Sequence, residues 1–276
     1  MSQAQGGSQG DGRKRFAEKV AIITGGGTGI GAAIGRAIVA EGGRVTLTGR
    51  REVLLKEVAS DLGDFVLPIA GDAAEPADVD RMVAATLEHF GRLDVVVANA
   101  GGHHPGAAID LDDEAWHFTV RANLDTAFVT VRACLPHLIS SDGTVLIVSS
   151  IAGLFAGPGV TGYVTTKHAL IGLTRSLARD YGHLGVRVNA LCPGWVRTPM
   201  SDEQMDYLAA RDGISRDAAY QLVTRDTPLG RPGTPEEIAS IALFLCSSDS
   251  SLMTGTVVVA DAGAGCVDLP TLAFVE

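Results

Sequence analysis

Short runs of apolar residues alternate along the chain with longer segments in which apolar residues recur every three or four positions. The first run is Val20-Ala21-Ile22-Ile23-Thr24, and three glycines follow it directly. Short aliphatic runs predict buried strands, whereas the longer periodic segments predict amphipathic helices. The pattern predicts strands over residues 20–24, 45–48, 65–69, 95–98, 145–148, 186–191 and 257–260.

Helical segments separate most of these strands, which indicates parallel strands joined by crossovers. The predicted fold class is therefore α/β, a doubly wound seven-stranded parallel sheet (a Rossmann fold) with helices on both faces. Pro68 cannot donate a ladder hydrogen bond, so the third strand is expected at an edge of the sheet. The usual strand order of such sheets, 3-2-1-4-5-6, places the third strand there too.

The 276 residues suffice for one α/β domain, which we assign to residues 16–276. Residues 1–15 are predicted to be a disordered tail, because their beginning is rich in Gly, Ser and Gln without an apolar pattern. One long helix is expected within residues 107–140, where Trp116, Val120, Leu124 and Phe128 recur every four residues. The segment 264–276 has no predicted role.

Charge and composition narrow the class of function. The formal net charge of -10 argues against nucleic-acid binding, which needs a basic surface. No apolar stretch reaches the roughly 20 residues of a membrane span, and no apolar signal core is seen near the N-terminus. The four cysteines lack CxxC spacing, which indicates reduced thiols in a cytoplasmic protein.

The glycine-rich segment after the first strand predicts a dinucleotide site. It contains Gly25, Thr28, Gly29, Ile30 and Gly31, and the apolar spacing of a helix starts at Ile30. Glycines allow the backbone to approach a pyrophosphate closely, and the helix N-terminus offers unpaired N–H groups to it. A glycine turn without a ligand is the alternative interpretation.

Tyr163 and Lys167 lie four positions apart at the start of another predicted helix, so both side chains are expected on one face. A cation beside a phenol favours the phenolate and would lower the tyrosine pKa. A tyrosine with a lowered pKa can exchange protons near neutral pH, as acid–base catalysis requires. A packed ring beside a solvated lysine is the alternative.

Several motifs together resemble those of the short-chain dehydrogenase/reductase family in its single-domain form. The likeness runs from about Glu18 to Gly263. It depends on the order and spacing of Thr24-Gly25-x-x-x-Gly29-x-Gly31, Asn99-Ala100-Gly101, Asn123, Ser150, Tyr163-x-x-x-Lys167 and Pro193-Gly194 followed by Thr198.

The resemblance implies a role for each matching residue. Tyr163 is the expected general acid–base catalyst, and Ser150 is expected to hydrogen-bond the substrate oxygen. Lys167 is expected to hydrogen-bond the nicotinamide ribose. Asn123 would hold a water in a proton relay, although an ordinary buried helix asparagine is the alternative. The cofactor is also expected to contact Asn99, Gly101, Pro193, Gly194 and Thr198.

The residues after the second strand favour NADP(H) over NAD(H). A carboxylate there would bind the ribose 2′-hydroxyl of NAD, but this chain has Gly49-Arg50-Arg51. Guanidinium groups match phosphate oxygens in charge and shape, although both arginines could be plain surface cations. Asp72 resembles the family residue at the adenine edge, and a helix N-cap or turn residue is its alternative.

The predicted function is hydride transfer between a nicotinamide cofactor and a secondary alcohol or its ketone. The alternatives are a 3-oxoacyl-thioester reductase with the same catalytic residues and a regulator that senses NADP without turning it over. By resemblance, residues 199–230 form a substrate lid and the chain assembles as a tetramer or dimer. His103 and His104 are interpreted as pocket wall or loop surface, because adjacent histidines without further ligands make a poor metal site.

Overall fold

The chain folds into a parallel sheet with helices packed on both faces. The computed structural model describes residues 14–274. Its strands are β1 (Val20–Thr24), β2 (Arg44–Gly49), β3 (Val66–Ala70), β4 (Val95–Ala98), β5 (Thr144–Val148), β6 (Arg187–Pro193) and β7 (Val257–Ala260). Its α-helices are α1 (Gly29–Ala40), α2 (Glu52–Ser60), α3 (Pro76–Phe90), α4 (Asp113–Val120), α5 (Thr126–Ser140), α6 (Thr161–Tyr181), α7 (Pro199–Asp212), α8 (Arg216–Thr224) and α9 (Pro235–Cys246).

The strand order is β3-β2-β1-β4-β5-β6-β7, and every neighbouring pair is parallel. The predicted doubly wound sheet is therefore confirmed, and β3 lies at an edge as Pro68 indicated. The chain direction across the sheet reverses between β1 and β4. At such a reversal the loops beyond the carboxyl ends of the strands diverge and leave a crevice.

Alternate residues of the central strands supply two separate cores, because successive side chains point to opposite faces. Ile23 of β1 joins the core covered by α1 and α9, which includes Ile34 and Leu243. Ile22 joins the opposite core, where Leu170 of α6 packs with residues of α3 and α5. The helices on the two faces thus hold the carboxyl edge of the sheet in a fixed shape.

The long helix expected within residues 107–140 is interrupted. The π turn Arg121–Asp125 separates α4 from α5. The four-residue apolar stripe also does not mark the core face, since Phe128 is 44% exposed. Thr119 and Asn123 are buried in its place. The buried face around the π turn therefore includes polar residues, which the hydrophobic pattern could not reveal.

The N-terminal part of the described chain and residues 199–230, the segment expected to form a lid, both pack against other residues of the fold. Most of the predicted disordered tail, residues 1–13, lies outside the described residues, whereas Arg15 forms an ion pair of 2.9 Å with Glu41. Within residues 199–230, α7 and α8 pack around Met205 and Tyr220. Across residues 14–274, every helix is too short or too polar to cross a membrane.

Candidate active site

The turn between β1 and α1 is shaped by its glycines. Gly25 and Gly29 adopt φ of +66° and +53°, a region that side-chain-bearing residues rarely occupy. A side chain at Gly31 would collide with the carbonyl oxygen of Gly25. Thr28 is the N-cap of α1, but its side chain accepts no capping hydrogen bond. The N-terminus of α1 therefore lacks a side-chain cap, and the free backbone N–H groups of a helix N-terminus favour an anion.

Asn99 anchors this turn to the end of β4. Its Nδ2 donates to the carbonyl oxygen of Thr24 at 2.9 Å. In return, the Thr24 hydroxyl accepts from the backbone N–H groups of Asn99 and Ala100 at 3.0 and 2.9 Å. The amide group of Asn99, which was predicted to contact the cofactor, thus holds the start of the glycine turn in place.

The helix α6 carries Tyr163 and Lys167 on one face, as their spacing predicted. The Lys167 Nζ lies 5.5 Å from the centre of the Tyr163 ring. Lys167 is buried, and its Nζ donates to the carbonyl oxygen of Val148 in β5 at 3.2 Å. Ser150 follows β5 directly, and its hydroxyl accepts from the backbone N–H of Ala152 at 3.1 Å. The predicted trio therefore meets at the carboxyl edge of the sheet.

Burial governs the protonation of this trio. It raises the pKa of Tyr163, while a hydrogen bond with Ser150 acts in the opposite direction. Burial lowers the pKa of Lys167 to about 8. The tyrosine pKa is therefore raised overall and not lowered as expected, because burial of the phenol outweighs the hydrogen bond with Ser150.

Asn123 sits at the centre of the π turn and is almost completely buried. Its Nδ2 donates to the carbonyl oxygens of Thr119 and Gly102, at 3.0 and 2.8 Å. The backbone N–H of Gly102 donates back to its Oδ1 at 3.4 Å. Because the side chain takes the Thr119 carbonyl, the local helix widens to a π turn. Asn123 therefore positions the loop after β4.

His103 lies in that loop against Tyr163. Its ring meets the Tyr163 ring edge to face, with centroids 5.3 Å apart and planes at 82°. Burial and the neighbouring His104 lower its pKa. Sequence analysis placed it at the pocket wall or on the loop surface but did not predict this contact, because no spacing rule links a loop residue to a helix 60 positions later.

The segment after β6 forms the opposite side of the crevice. The Gly194 N–H donates to the carbonyl oxygen of Ala260 at 2.9 Å, and a side chain at Gly194 would come within 2.8 Å of the Asp261 Cα. Thr198 caps α7, and a side chain at Gly29 would lie 3.1 Å from its methyl group. Pro193, Gly194 and Thr198 thus border the crevice, with Thr198 facing the glycine turn.

Arg50 and Arg51 follow β2 and are both exposed. Asp72 follows the neighbouring strand β3, where its carboxylate accepts from the Ala74 N–H and from Arg121, each at 2.9 Å. Burial alone would raise the Asp72 pKa, but these hydrogen bonds lower it. Asp72 is thus a turn residue with a charged partner, which agrees with the structural alternative considered for it.

Comparison with known proteins identifies the family. A family model described as Enoyl-(Acyl carrier protein) reductase matches residues 25–265. The chain belongs to the short-chain dehydrogenases/reductases. Members of this family are oxidoreductases that bind nicotinamide cofactors and act on small alcohols and ketones.

Individual relatives cover nearly the whole of this short-chain dehydrogenase/reductase. The protein MoaE of Klebsiella aerogenes is 48% identical over 93% of this chain and 99% of its own length. A D-beta-hydroxybutyrate dehydrogenase of Rhizobium meliloti is 32% identical over 89% and 98%. The L-sorbose reductase of Gluconobacter frateurii, solved with NADPH and L-sorbose, superimposes with a TM-score of 0.86 at 30% identity, over 91% and 98%.

The crevice of this short-chain dehydrogenase/reductase has the parts that a nicotinamide cofactor needs. The glycine turn leaves room that a Cβ at Gly31 would fill, and the first turn of α1 carries no acidic residue. These features fit a pyrophosphate. Within the described range 14–274, no group of three or more His, Cys, Asp or Glu side chains is arranged to hold a metal ion.

Proposed function

We propose that this chain transfers a hydride between a nicotinamide cofactor and a secondary alcohol or its ketone, with Tyr163 as the general acid–base. The observation that carries this proposal is the meeting of Ser150, Tyr163 and Lys167 at the crevice beside the glycine turn. The bound nicotinamide supplies the hydride chemistry. Proton transfer and stabilisation of the substrate oxygen are left to side chains of this chain.

Each of the three side chains has a distinct task. In reduction the Tyr163 hydroxyl donates a proton to the substrate oxygen, and in oxidation its phenolate accepts the alcohol proton. Ser150 hydrogen-bonds the same oxygen and stabilises its developing negative charge. Lys167, with a pKa of about 8, can take up and release a proton near neutral pH, as the neighbour of a proton donor must.

Replacing the phenol hydroxyl tests this assignment. Tyr163→Phe removes only the ionisable group, so cofactor binding measured by fluorescence titration should persist while turnover falls by roughly 10²–10⁴. Turnover is followed at 340 nm on a panel of secondary alcohols and ketones. Tyr207→Phe is the matched control, because that tyrosine is 72% exposed and lies on the outside of the lid. Unchanged turnover in Tyr163→Phe would contradict the assignment.

We propose that NADP(H) is preferred over NAD(H). The exposed guanidinium groups of Arg50 and Arg51 follow β2, where they can bind a 2′-phosphate bidentately. Arg50→Asp should raise the KM for NADP(H) by 10-fold or more, since a carboxylate repels the phosphate and favours a free 2′-hydroxyl. Lys56→Asp on α2 is the control for a general charge effect. A wild-type enzyme that turns over faster with NAD(H) on every substrate would overturn the preference.

A second candidate substrate class is the 3-oxoacyl thioester. The description of the matching family model, Enoyl-(Acyl carrier protein) reductase, supports a carrier-bound acyl thioester as substrate, although it names reduction of a C=C bond and not of a ketone. The same catalytic side chains would serve, so only the substrate distinguishes the two candidates. Acetoacetyl-coenzyme A, assayed beside simple ketones at 340 nm, should be reduced faster than the ketones only if this second candidate is correct.

We also propose that the chain forms a homo-oligomer, a dimer or tetramer, through the helices α4, α5 and α6. Phe118 and Phe128 project from α4 and α5 with 42% and 44% of their surfaces exposed. Large exposed aromatic side chains of this kind are typical of protein interfaces. Light scattering after size exclusion should give two or four times 28.6 kDa. A monomeric mass at micromolar concentration would refute this proposal.

A further inference from the structure

The imidazole of His103 is the polar side chain of the crevice to which the proposed chemistry gives no task. Its ring packs edge to face on the Tyr163 ring, with centroids 5.3 Å apart. A substrate whose reacting oxygen meets the Tyr163 hydroxyl therefore lies beside this imidazole.

The loop that carries His103 is fixed on both sides. Before it, Gly102 is held by Asn123, which accepts from its N–H and donates to its carbonyl oxygen. After it, the Gly106 N–H donates to the carbonyl oxygen of Gly159 at 2.7 Å, and Thr161 donates to Gly106 at 3.2 Å. These anchors are the π turn and the start of α6, so His103 keeps its place relative to Tyr163.

The ring nitrogens of His103 are available to a ligand. Within residues 14–274, no protein hydrogen bond to either nitrogen is found, and neither is an unsatisfied atom sealed from solvent. Burial lowers the pKa of His103, so at neutral pH its imidazole is uncharged and presents one donor and one acceptor. His104 differs, because it is exposed and its Nδ1 lies 3.1 Å from the carbonyl oxygen of Pro105.

We propose that His103 is a specificity-determining residue that hydrogen-bonds a second hydroxyl, on the carbon next to the reacting one. The substrate class would then be vicinal diols and α-hydroxy ketones, an inference that rests on the proposed oxidoreductase function. A hydroxyl both donates and accepts, as a neutral imidazole does. A substrate carboxylate only accepts and is better matched by a cation. Among residues 14–274, the cation found against the Tyr163 ring is Lys167, and it is buried.

The test compares matched substrates in matched variants. The kcat/KM ratio of a vicinal diol to its mono-alcohol, such as 2,3-butanediol to 2-butanol, is measured at 340 nm. His103→Phe keeps an aromatic edge against Tyr163 but removes both ring nitrogens. The ratio should fall by roughly 5- to 20-fold, the value of one lost hydrogen bond. His103→Gln, which restores a donor and an acceptor, should recover part of it, and His104→Phe should not change it.

Two outcomes separate this inference from the proposed function. If His103→Phe leaves the ratio unchanged while Tyr163→Phe still abolishes turnover, His103 does not select the hydroxyl and the inference fails alone. If the wild-type protein oxidises no alcohol and reduces no ketone of the panel with either cofactor, the proposed function fails and the inference with it. A wild-type ratio near one would also overturn the role of His103.

Discussion

At the scale of single residues, Lys167 occupies a position where burial disfavours its charge. Among the described residues, the one hydrogen bond found for its ammonium goes to the Val148 carbonyl oxygen, and burial lowers its pKa to about 8. An unfolded lysine has a pKa near about 10.4, so the unfolded chain binds more protons between these values and stability rises with pH there. Below pH 8 the full cost of the buried ammonium is present.

Lys167→Met should therefore separate stability from activity. Methionine keeps the apolar stem without the charge, so the free energy of unfolding at pH 7 should rise by about 1–3 kcal/mol. Turnover should nevertheless fall about 100-fold or more, because Tyr163 loses the neighbour that takes up and releases a proton beside it. Urea unfolding at pH 7 and pH 10 checks the first part, since the gain should shrink at the higher pH. A less stable variant at pH 7 would show that the Val148 hydrogen bond outweighs burial.

The spacing of Tyr163 and Lys167 was enough to predict their shared face, because helix geometry fixes it. The direction of the tyrosine pKa was not predictable, since it depends on burial by residues from other elements. His103 shows the same limit, because its contact with Tyr163 depends on a loop anchored by Asn123. The sequence identifies His103 and Tyr163 but does not show that their rings are in contact.

At the scale of elements, a polar cluster around Tyr220 holds together residues 199–230, the segment that the family resemblance implies to be the substrate lid. The ring of Tyr220 is fully buried, and its hydroxyl donates to Asp202 of α7 at 2.8 Å and also meets the Ser201 hydroxyl at 2.8 Å. The Arg197 guanidinium lies 4.4 Å from the ring centre and pairs with Asp217 of α8 at 2.8 Å. These contacts join both lid helices to the segment beside Thr198.

Tyr220→Phe should loosen the lid without unfolding the domain. Removing the hydroxyl leaves Asp202 without one partner, which should cost about 1–2 kcal/mol of lid stability. Hydrogen exchange should accelerate in α7 and α8 but not in the central strands, and the substrate KM should rise a few-fold. Tyr207→Phe on the exposed side of α7 is the control. Uniform faster exchange across the sheet would show that the cluster supports the whole domain instead.

The interrupted helix illustrates what hydrophobic spacing cannot show about elements. Trp116, Val120, Leu124 and Phe128 predicted one long helix; helix does form on either side of the break, but this stripe does not mark its buried face. The π turn between α4 and α5 depends on Asn123, whose side chain takes a backbone carbonyl and also holds Gly102. A single polar residue in an apolar pattern was the only signal, and an ordinary buried asparagine fits that pattern equally well.

At the scale of the whole molecule, the strand pattern and Pro68 were enough to predict the order of the sheet. They did not predict the buried carboxylate of Asp94, which links β1 to the start of β4. Asp94, directly before β4, is almost fully buried. Its carboxylate accepts from the Val20 N–H of β1 at 3.0 Å and from Lys19 Nζ at 2.9 Å. Arg92 donates to this carboxylate through Nε at 2.8 Å and through Nη2 at 2.7 Å. Nothing in its local sequence marks this aspartate as buried.

Asp94→Asn should destabilise the domain in a manner that depends on pH. Burial would raise the Asp94 pKa, but the hydrogen bonds from Arg92, Lys19 and Val20 lower it overall. A lowered carboxyl pKa contributes stability above the unfolded value near about 3.9, and this is lost as the pH falls through the folded value. The free energy of unfolding of the variant should therefore be about 1–3 kcal/mol lower at pH 7. This loss is smaller than that expected for breaking a fully buried ion pair, because both cations are partly exposed.

Urea unfolding of Asp94→Asn and wild-type protein at pH 7 and pH 3 measures this dependence. The difference between the two proteins should be largest at pH 7 and should narrow at pH 3, below the unfolded pKa of about 3.9, where the unfolded carboxyl is largely protonated. Asp64→Asn, at an exposed position before β3, is the control and should change stability by less than about 0.5 kcal/mol. A difference that is equal at both pH values would mean that Asp94 acts through its shape, not through its charge.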